Sequence, residues 1–177
     1  MPFMRVSFPL PTMKGLSSIK NGNGASTRPT LTIRRCTMYK EFCKNSHNLF
    51  DEAARNRAKT FWQRSGYKCT DNDDIYGVDL LVSGKDREFY CEVEVKQGWH
   101  GLKFKFDTLH IPVRKAKFLT CPTVFMVFNA GLHRAGLVTR KTVLNSPKVE
   151  VPNRAVAFGE KFFDIPAEQV KFFTIGV

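Results

Sequence analysis

Gly77-Val78-Asp79-Leu80-Leu81-Val82-Ser83-Gly84-Lys85-Asp86-Arg87-Glu88-Phe89-Tyr90-Cys91-Glu92-Val93-Glu94-Val95-Lys96 is the stretch around which the rest of the chain can be arranged. The run Phe89 to Lys96 reads as a strand. Alternate side chains of a strand share a face, so Phe89, Cys91, Val93 and Val95 fall on one side and Tyr90, Glu92, Glu94 and Lys96 on the other. Asp79 sits in the preceding run, Tyr76 to Val82, and the connection Ser83 to Arg87 has turn composition. Pairing the two runs through a loop of about four residues sets Asp79 opposite Glu94. The expected product is a compact acidic site with a lysine beside it. Such a site suits a hard cation held by oxygen ligands against a phosphate.

Glu-x-Lys alone is also what a solvated strand face carries, where neighbouring opposite charges contribute little. Three features favour a site. Asp79 interrupts an apolar strand, where an unpaired carboxylate is costly. Both strands belong to one hairpin. A helix precedes them: Ser46 is a suitable N-cap, Leu49, Phe50, Ala53, Ala54, Ala58, Phe61 and Trp62 recur at helical spacing, and Gly66 is a natural stop. Glu52 adjoins that apolar stripe, either as a further carboxylate for the site or as half of a helix pair with Arg55 or Asn56.

Further along, Trp99 to Lys117 interleaves basic and aromatic residues, including Lys103, Phe104, Lys105 and Phe106. Such a pattern suits backbone contacts and base stacking on nucleic acid; equally, most of its phenylalanines can serve a core. The segment from His110 opens a short helix with Pro112 in its first turn. Pro122 to Asn129 is a near-continuous apolar run and reads as a central strand covered on both faces. Arg134 to Thr139 reads as its neighbour, Thr139 or Thr142 as the start of a short helix, and Gln169 to Ile175 as a last strand. Asp71, Asn72, Asp73 and Asp74 lack the Gly and distal Glu of a calcium loop and read as an Asx-rich turn.

In this order of elements the chain resembles the PD-(D/E)XK nuclease superfamily. The resemblance rests on the helix near Ser46–Gly66, Asp79, Glu94-Val95-Lys96, the segment Pro112–Thr120 and the strand Pro122–Asn129, about half of the chain. Val78 stands where the motif name has Pro, and Glu92 adds an acid that makes the ligand set ambiguous. The resemblance implies an α/β fold with a restriction-endonuclease-like core, a central mixed β-sheet flanked by helices. It implies a Mg²⁺- or Mn²⁺-dependent endonuclease acting on DNA, of restriction, junction-resolving, repair or phage type, with RNA as the other candidate substrate. Asp79 and Glu94 would bind the metal, with the main-chain carbonyl of Val95 as a further ligand and Glu52 and Glu92 as additional carboxylates. Lys96 would orient the attacking water or stabilise developing charge, and Arg114 and Lys115 would meet the phosphate. Lys103, Lys105, Lys117 and Trp99 complete the expected nucleic-acid surface, and homodimers are common among such enzymes. The alternative from another class is a basic, non-catalytic nucleic-acid-binding protein.

Composition agrees with a polyanionic partner. The 177 residues carry a net charge of +12. Residues 1–40 contain 7 Lys/Arg and no acid, while 41–177 contain 21 basic and 16 acidic residues. The first segment, broken by prolines and by Asn21 to Ser26, reads as a flexible basic arm before a nuclease-like domain at 41–177. It shares its Ser, Thr and Arg content with organelle transit peptides but has no clean amphipathic helix. The 5 cysteines, Cys36, Cys43, Cys69, Cys91 and Cys121, form no CxxC pair and no zinc pattern with the 4 histidines. They read as reduced thiols of an intracellular protein. No run is long enough to span a membrane, and no Walker or dinucleotide glycine pattern is present.

Overall fold

The computed structural model describes residues 49–74, 76–153 and 156–176. The basic arm 1–40, the Ser46 cap, Cys36, Cys43 and His47 lie outside them. Helix α1 (Leu49–Arg64) buries Ala54, Ala58 and Trp62, the inward stripe expected from their spacing. It ends where Gly66 adopts φ +87°, a conformation that only glycine takes without strain.

Six strands follow in the main sheet: β1 (Lys68–Asp71), β2 (Leu80–Ser83), β3 (Glu88–Lys96), β5 (Thr123–Asn129), β6 (Arg134–Thr139) and β9 (Lys171–Thr174). Their spatial order is β1-β2-β3-β5-β6-β9. Only β3 and β5 run parallel; the other neighbours are antiparallel, so the sheet is mixed. β3 and β5 therefore need a crossover connection. Residues 97–122 make it, through β4 (Thr108–Pro112) and a 3-10 helix, Val113–Thr120. Between β1 and β2, Asn72 and Asp74 accept backbone N–H bonds two residues on, from Asp74 and Tyr76, the Asx-turn chemistry expected of that stretch.

The two faces of the main sheet are covered differently. On one, α1 meets the apolar side of β3, with Trp62 packed edge-on against Phe89 at 5.1 Å and Cys91 fully buried. On the other lies a second sheet, in the order β4-β8-β7, with β7 spanning Lys148–Asn153 and β8 spanning Val156–Pro166. Between them Leu109 and Ile111 of β4, Phe163 and Ile165 of β8, and Phe125, Val127 and Val138 of the main sheet form one core. A short helix, α2 (Arg140–Asn145), capped by the Thr139 side chain, adds Val143 to it.

The fold is α/β with a central mixed sheet, as expected; α1 covers one face, and α2 and the 3-10 helix join the second sheet on the other. The helix expected to open near His110 is a strand up to Pro112. Leu109 and Ile111 alternate inward, and burying each contributes about 1.5–3 kcal/mol, while β8 supplies the hydrogen-bonding edge. Pro112, at φ −58° and ψ 134°, ends that strand and starts the 3-10 turn at Val113. The three described cysteines form no disulfide; Cys91 lies in the core, whereas Cys121 is half-exposed just before β5. Among the described residues no helix is long and apolar enough to cross a membrane.

A candidate acid–lysine site on the central strand

β3 is 9 residues long and β2 is 4, and their pairing ends at Leu80 opposite Cys91. From Glu92 onward β5 is the strand that pairs with β3 among the described residues. Asp79 turns in at that point, and its Oδ2 accepts the Val93 N–H at 2.9 Å. The register differs from the expected one. Ser83 pairs with Glu88 across the loop 84–87, so one further step sets Asp79 level with Glu92, not Glu94. The observed and expected registers differ by two residues along β3. A shift of two keeps every side chain on its face, whereas a shift of one would reverse it. Asp79 therefore still shares a face with Glu92, Glu94 and Lys96, the face that looks toward the second sheet.

Glu92 is fully buried, and Glu94 and Lys96 have side chains 17% and 25% exposed. Lys96 Nζ lies 2.6 Å from Glu94 Oε1. A second ammonium enters from the 3-10 helix. Residues three apart eclipse in such a helix, so Lys115 points inward with Phe118. Its Nζ lies 3.1 Å from Glu92 Oε1 and 3.0 Å from Glu94 Oε2.

Burial alone would raise the Glu94 pKa. The charges of Lys115 and Lys96, with their hydrogen bonds, overcome it and hold the carboxyl at about 2 instead of 4.5. Burial would likewise lower the Lys115 pKa, but Glu94, Glu92 and Asp79 together push it above the ordinary lysine range. A carboxylate with a depressed folded-state pKa stabilises the fold fully above its unfolded value. For Glu94 that contribution is complete above pH 4.5 and is lost as the pH falls toward about 2. Urea unfolding followed from about pH 6 to pH 3 should show wild type losing stability more steeply than Glu94→Gln. Equal slopes would show that Glu94 is not held by the two lysines.

The donor chemistry of Asp79, Glu92 and Glu94, all carboxylate oxygen, fits a hard cation such as Mg²⁺ or Mn²⁺. The arrangement does not: among the described residues no three Asp, Glu, His or Cys side chains converge as a metal site. Each oxygen of Glu94 faces an ammonium, and Lys115 bridges the space between Glu94 and Glu92.

Glu52 is exposed in the first turn of α1, whose packing face is the opposite side of β3, and among the described residues no contact ties it to the carboxylates. Trp99 is a correction: it is 1% exposed, packed edge-on against Phe104 at 5.1 Å and Phe172 at 5.5 Å. Its size makes it a core residue and removes it from base stacking. Lys115 is a second correction, buried with the carboxylates and not spread on the surface. Lys103 and Lys105 are exposed, in a loop whose Leu102 and Phe106 are also exposed. Arg114 is exposed and ion-paired with Glu160, and Lys117 lies over the Phe118 ring at 5.3 Å. Phe118 is buried and Phe104 packs against the core, whereas Phe106 faces outward.

Asn129 was not singled out in the sequence. Level with Lys96 on β5, its Nδ2 donates to Gly101 O at 2.8 Å and its Oδ1 accepts from His133 N and Arg134 N. It thus ties the loop that follows Lys96 to the β5–β6 turn. Its polar place at the end of an apolar run was the available signal.

No family model and no curated protein matches the chain. Among solved structures the fold is similar to Hjc, a Holliday junction resolvase from the archaeal hyperthermophile Archaeoglobus fulgidus. The sequence identity is 6% and the TM-score 0.44, over 66% of this chain and 84% of that one.

Proposed function

We propose that this chain is an endonuclease hydrolysing DNA phosphodiester bonds with Mg²⁺ or Mn²⁺. The observation that carries the reading is the acid–lysine group where β2 ends and β3 continues, with Glu92 and Lys115 buried and Asp79, Glu94 and Lys96 half-buried. Buried ion pairs are weak devices for stability, since apolar residues of similar size often serve as well. Five charged side chains beside an apolar layer are better explained by chemistry on a charged substrate.

Asp79 and Glu94, with the Val95 carbonyl and Glu92, would be the metal donors only with Lys115 drawn out of the space between Glu92 and Glu94. A divalent ion there would polarise the scissile phosphate and acidify a bound water. Glu94 stays ionised at neutral pH because Lys115 and Lys96 hold its pKa low. Lys96, the more exposed of the two lysines, is the group proposed to face the phosphate and stabilise the charge that develops on it. Lys103 and Lys105 would contact the backbone, with Phe106 in place of Trp99 as the ring for stacking. The arm 1–40 would add sequence-independent affinity.

Plasmid, linear, branched and single-stranded DNA, and RNA, incubated with and without Mg²⁺ or Mn²⁺, test the reading. Cutting that depends on metal supports it. The second reading, a binding protein without catalysis, is favoured by the neutralisation of Glu92 and Glu94 by Lys115. It requires binding that persists in EDTA and no cutting under any condition. In either case Lys103→Ala and Lys105→Ala should each lower the slope of log affinity against log salt by about 1. An unchanged slope would remove that loop from the interface.

A further inference from the structure

Lys115 stands where a divalent cation bridging Glu92 and Glu94 would have to stand. Its Nζ is within 3.1 Å of one carboxylate and 3.0 Å of the other, and its side chain is 10% exposed. Glu92 is fully buried, so it depends on neighbouring groups to offset its charge. The three carboxylates and two ammonium groups leave one net negative charge. Without Lys115 the same group would carry two and would be a stronger cation site.

We propose that Lys115 is the resident cation of this site, a tethered ammonium that holds Glu92 and Glu94 together and excludes a divalent metal until it withdraws. Two cations cannot share the space between these carboxylates: they would overlap the same oxygen atoms and repel each other. Unlike an ion from solution, the ammonium is supplied by the fold and has no concentration to be raised. It comes from an eight-residue 3-10 helix that also buries Phe118 and Leu119, so its backbone is anchored while its four-carbon stem can turn. The proposal rests on the nuclease reading only in taking a divalent ion as the competitor.

Mn²⁺ titration without DNA, followed by the EPR signal of the free ion, tests it on the full chain. Lys115→Met should bind Mn²⁺ at least about tenfold more tightly than wild type, since one nearby positive charge is gone. Mn²⁺ should also raise the melting temperature of the variant more than that of wild type. Lys115→Met can fail to fold, because it removes the ammonium 3.1 Å from the fully buried Glu92. Lys115→Gln, which removes the charge but keeps a hydrogen-bond donor beside Glu92 and Glu94, is the second variant and should show tighter Mn²⁺ binding in the same direction. A folded variant that binds Mn²⁺ no better than wild type overturns the proposal. DNA cleavage measured in parallel separates the two ideas. Tighter Mn²⁺ binding with no cutting by any form sinks the nuclease reading and leaves the role of Lys115 standing. Metal-dependent cutting by wild type with unchanged Mn²⁺ affinity in the variants does the reverse.

Discussion

Asp79→Asn and Glu94→Gln should each reduce DNA cleavage on the order of a hundredfold or more, the usual effect of losing a group that acts on transition-state charge. DNA affinity should change little, because the proposed backbone contacts are the exposed Lys103 and Lys105, not the half-buried Asp79 and Glu94. Amides replace the carboxylates so that size is kept and the Val93 N–H retains an acceptor at position 79. Lys96→Ala should lower turnover at saturation with little change in substrate affinity, whereas Lys103→Ala should weaken binding and spare turnover. Lys96→Arg should rescue only in part, since the guanidinium keeps the charge but changes reach and shape. Single-turnover cleavage in Mg²⁺ and in Mn²⁺, with melting temperatures recorded for each variant, is the measurement. Wild-type rates in folded Asp79→Asn and Glu94→Gln would sink the assignment of the site. Equal and small losses at Lys96 and Lys103 would make Lys96 one surface charge among many.

Trp99→Ala is expected to cost about 3–5 kcal/mol of stability, as removal of a buried aromatic ring does. The residue is 1% exposed and touches Phe104 and Phe172 edge-on. Its main-chain bonds, N–H to Lys96 O at 3.0 Å and carbonyl from Ala130 N at 2.9 Å, are kept by alanine, so the loss reports the ring. Chemical denaturation reads the loss directly. Phe106→Ala, at an exposed position a few residues on, should leave stability nearly unchanged and weaken DNA binding. The opposite pattern, a stable Trp99→Ala protein with weak binding, would return Trp99 to the surface and contradict its packing.

Much of the fold follows from local pattern. Period-two alternation placed the acids of β3 on one face and Cys91 on the other, and the continuous apolar run at β5 identified a strand buried on both sides. The α1 stripe, the Asx turn and the strand Arg134–Thr139 are likewise contained in short windows, where side-chain spacing and turn chemistry are sufficient. The register of the hairpin was legible only to within two residues. Alternation specifies the face, but the distance a strand runs into its loop depends on pairing along its whole length.

Partnership across the chain is what only tertiary structure decided. His110 and Ile111 became strand because β8, some fifty residues later, offers them an edge and a core. Trp99 and Lys103 belong to the same basic, aromatic segment, yet one is core and the other surface, a choice made by the arrival of Phe172 from the last strand. Lys115 shows this most sharply. As sequence it is one of three basic residues in five, beside Arg114 and Lys117. Eclipsing with Phe118 in the 3-10 helix turns it inward, and the crossover carries it over β3, where Glu92 and Glu94 await a cation. Charge is written in the sequence, but the partner that offsets a buried charge is set by long-range packing, because the desolvation it must offset exists only once the core has closed.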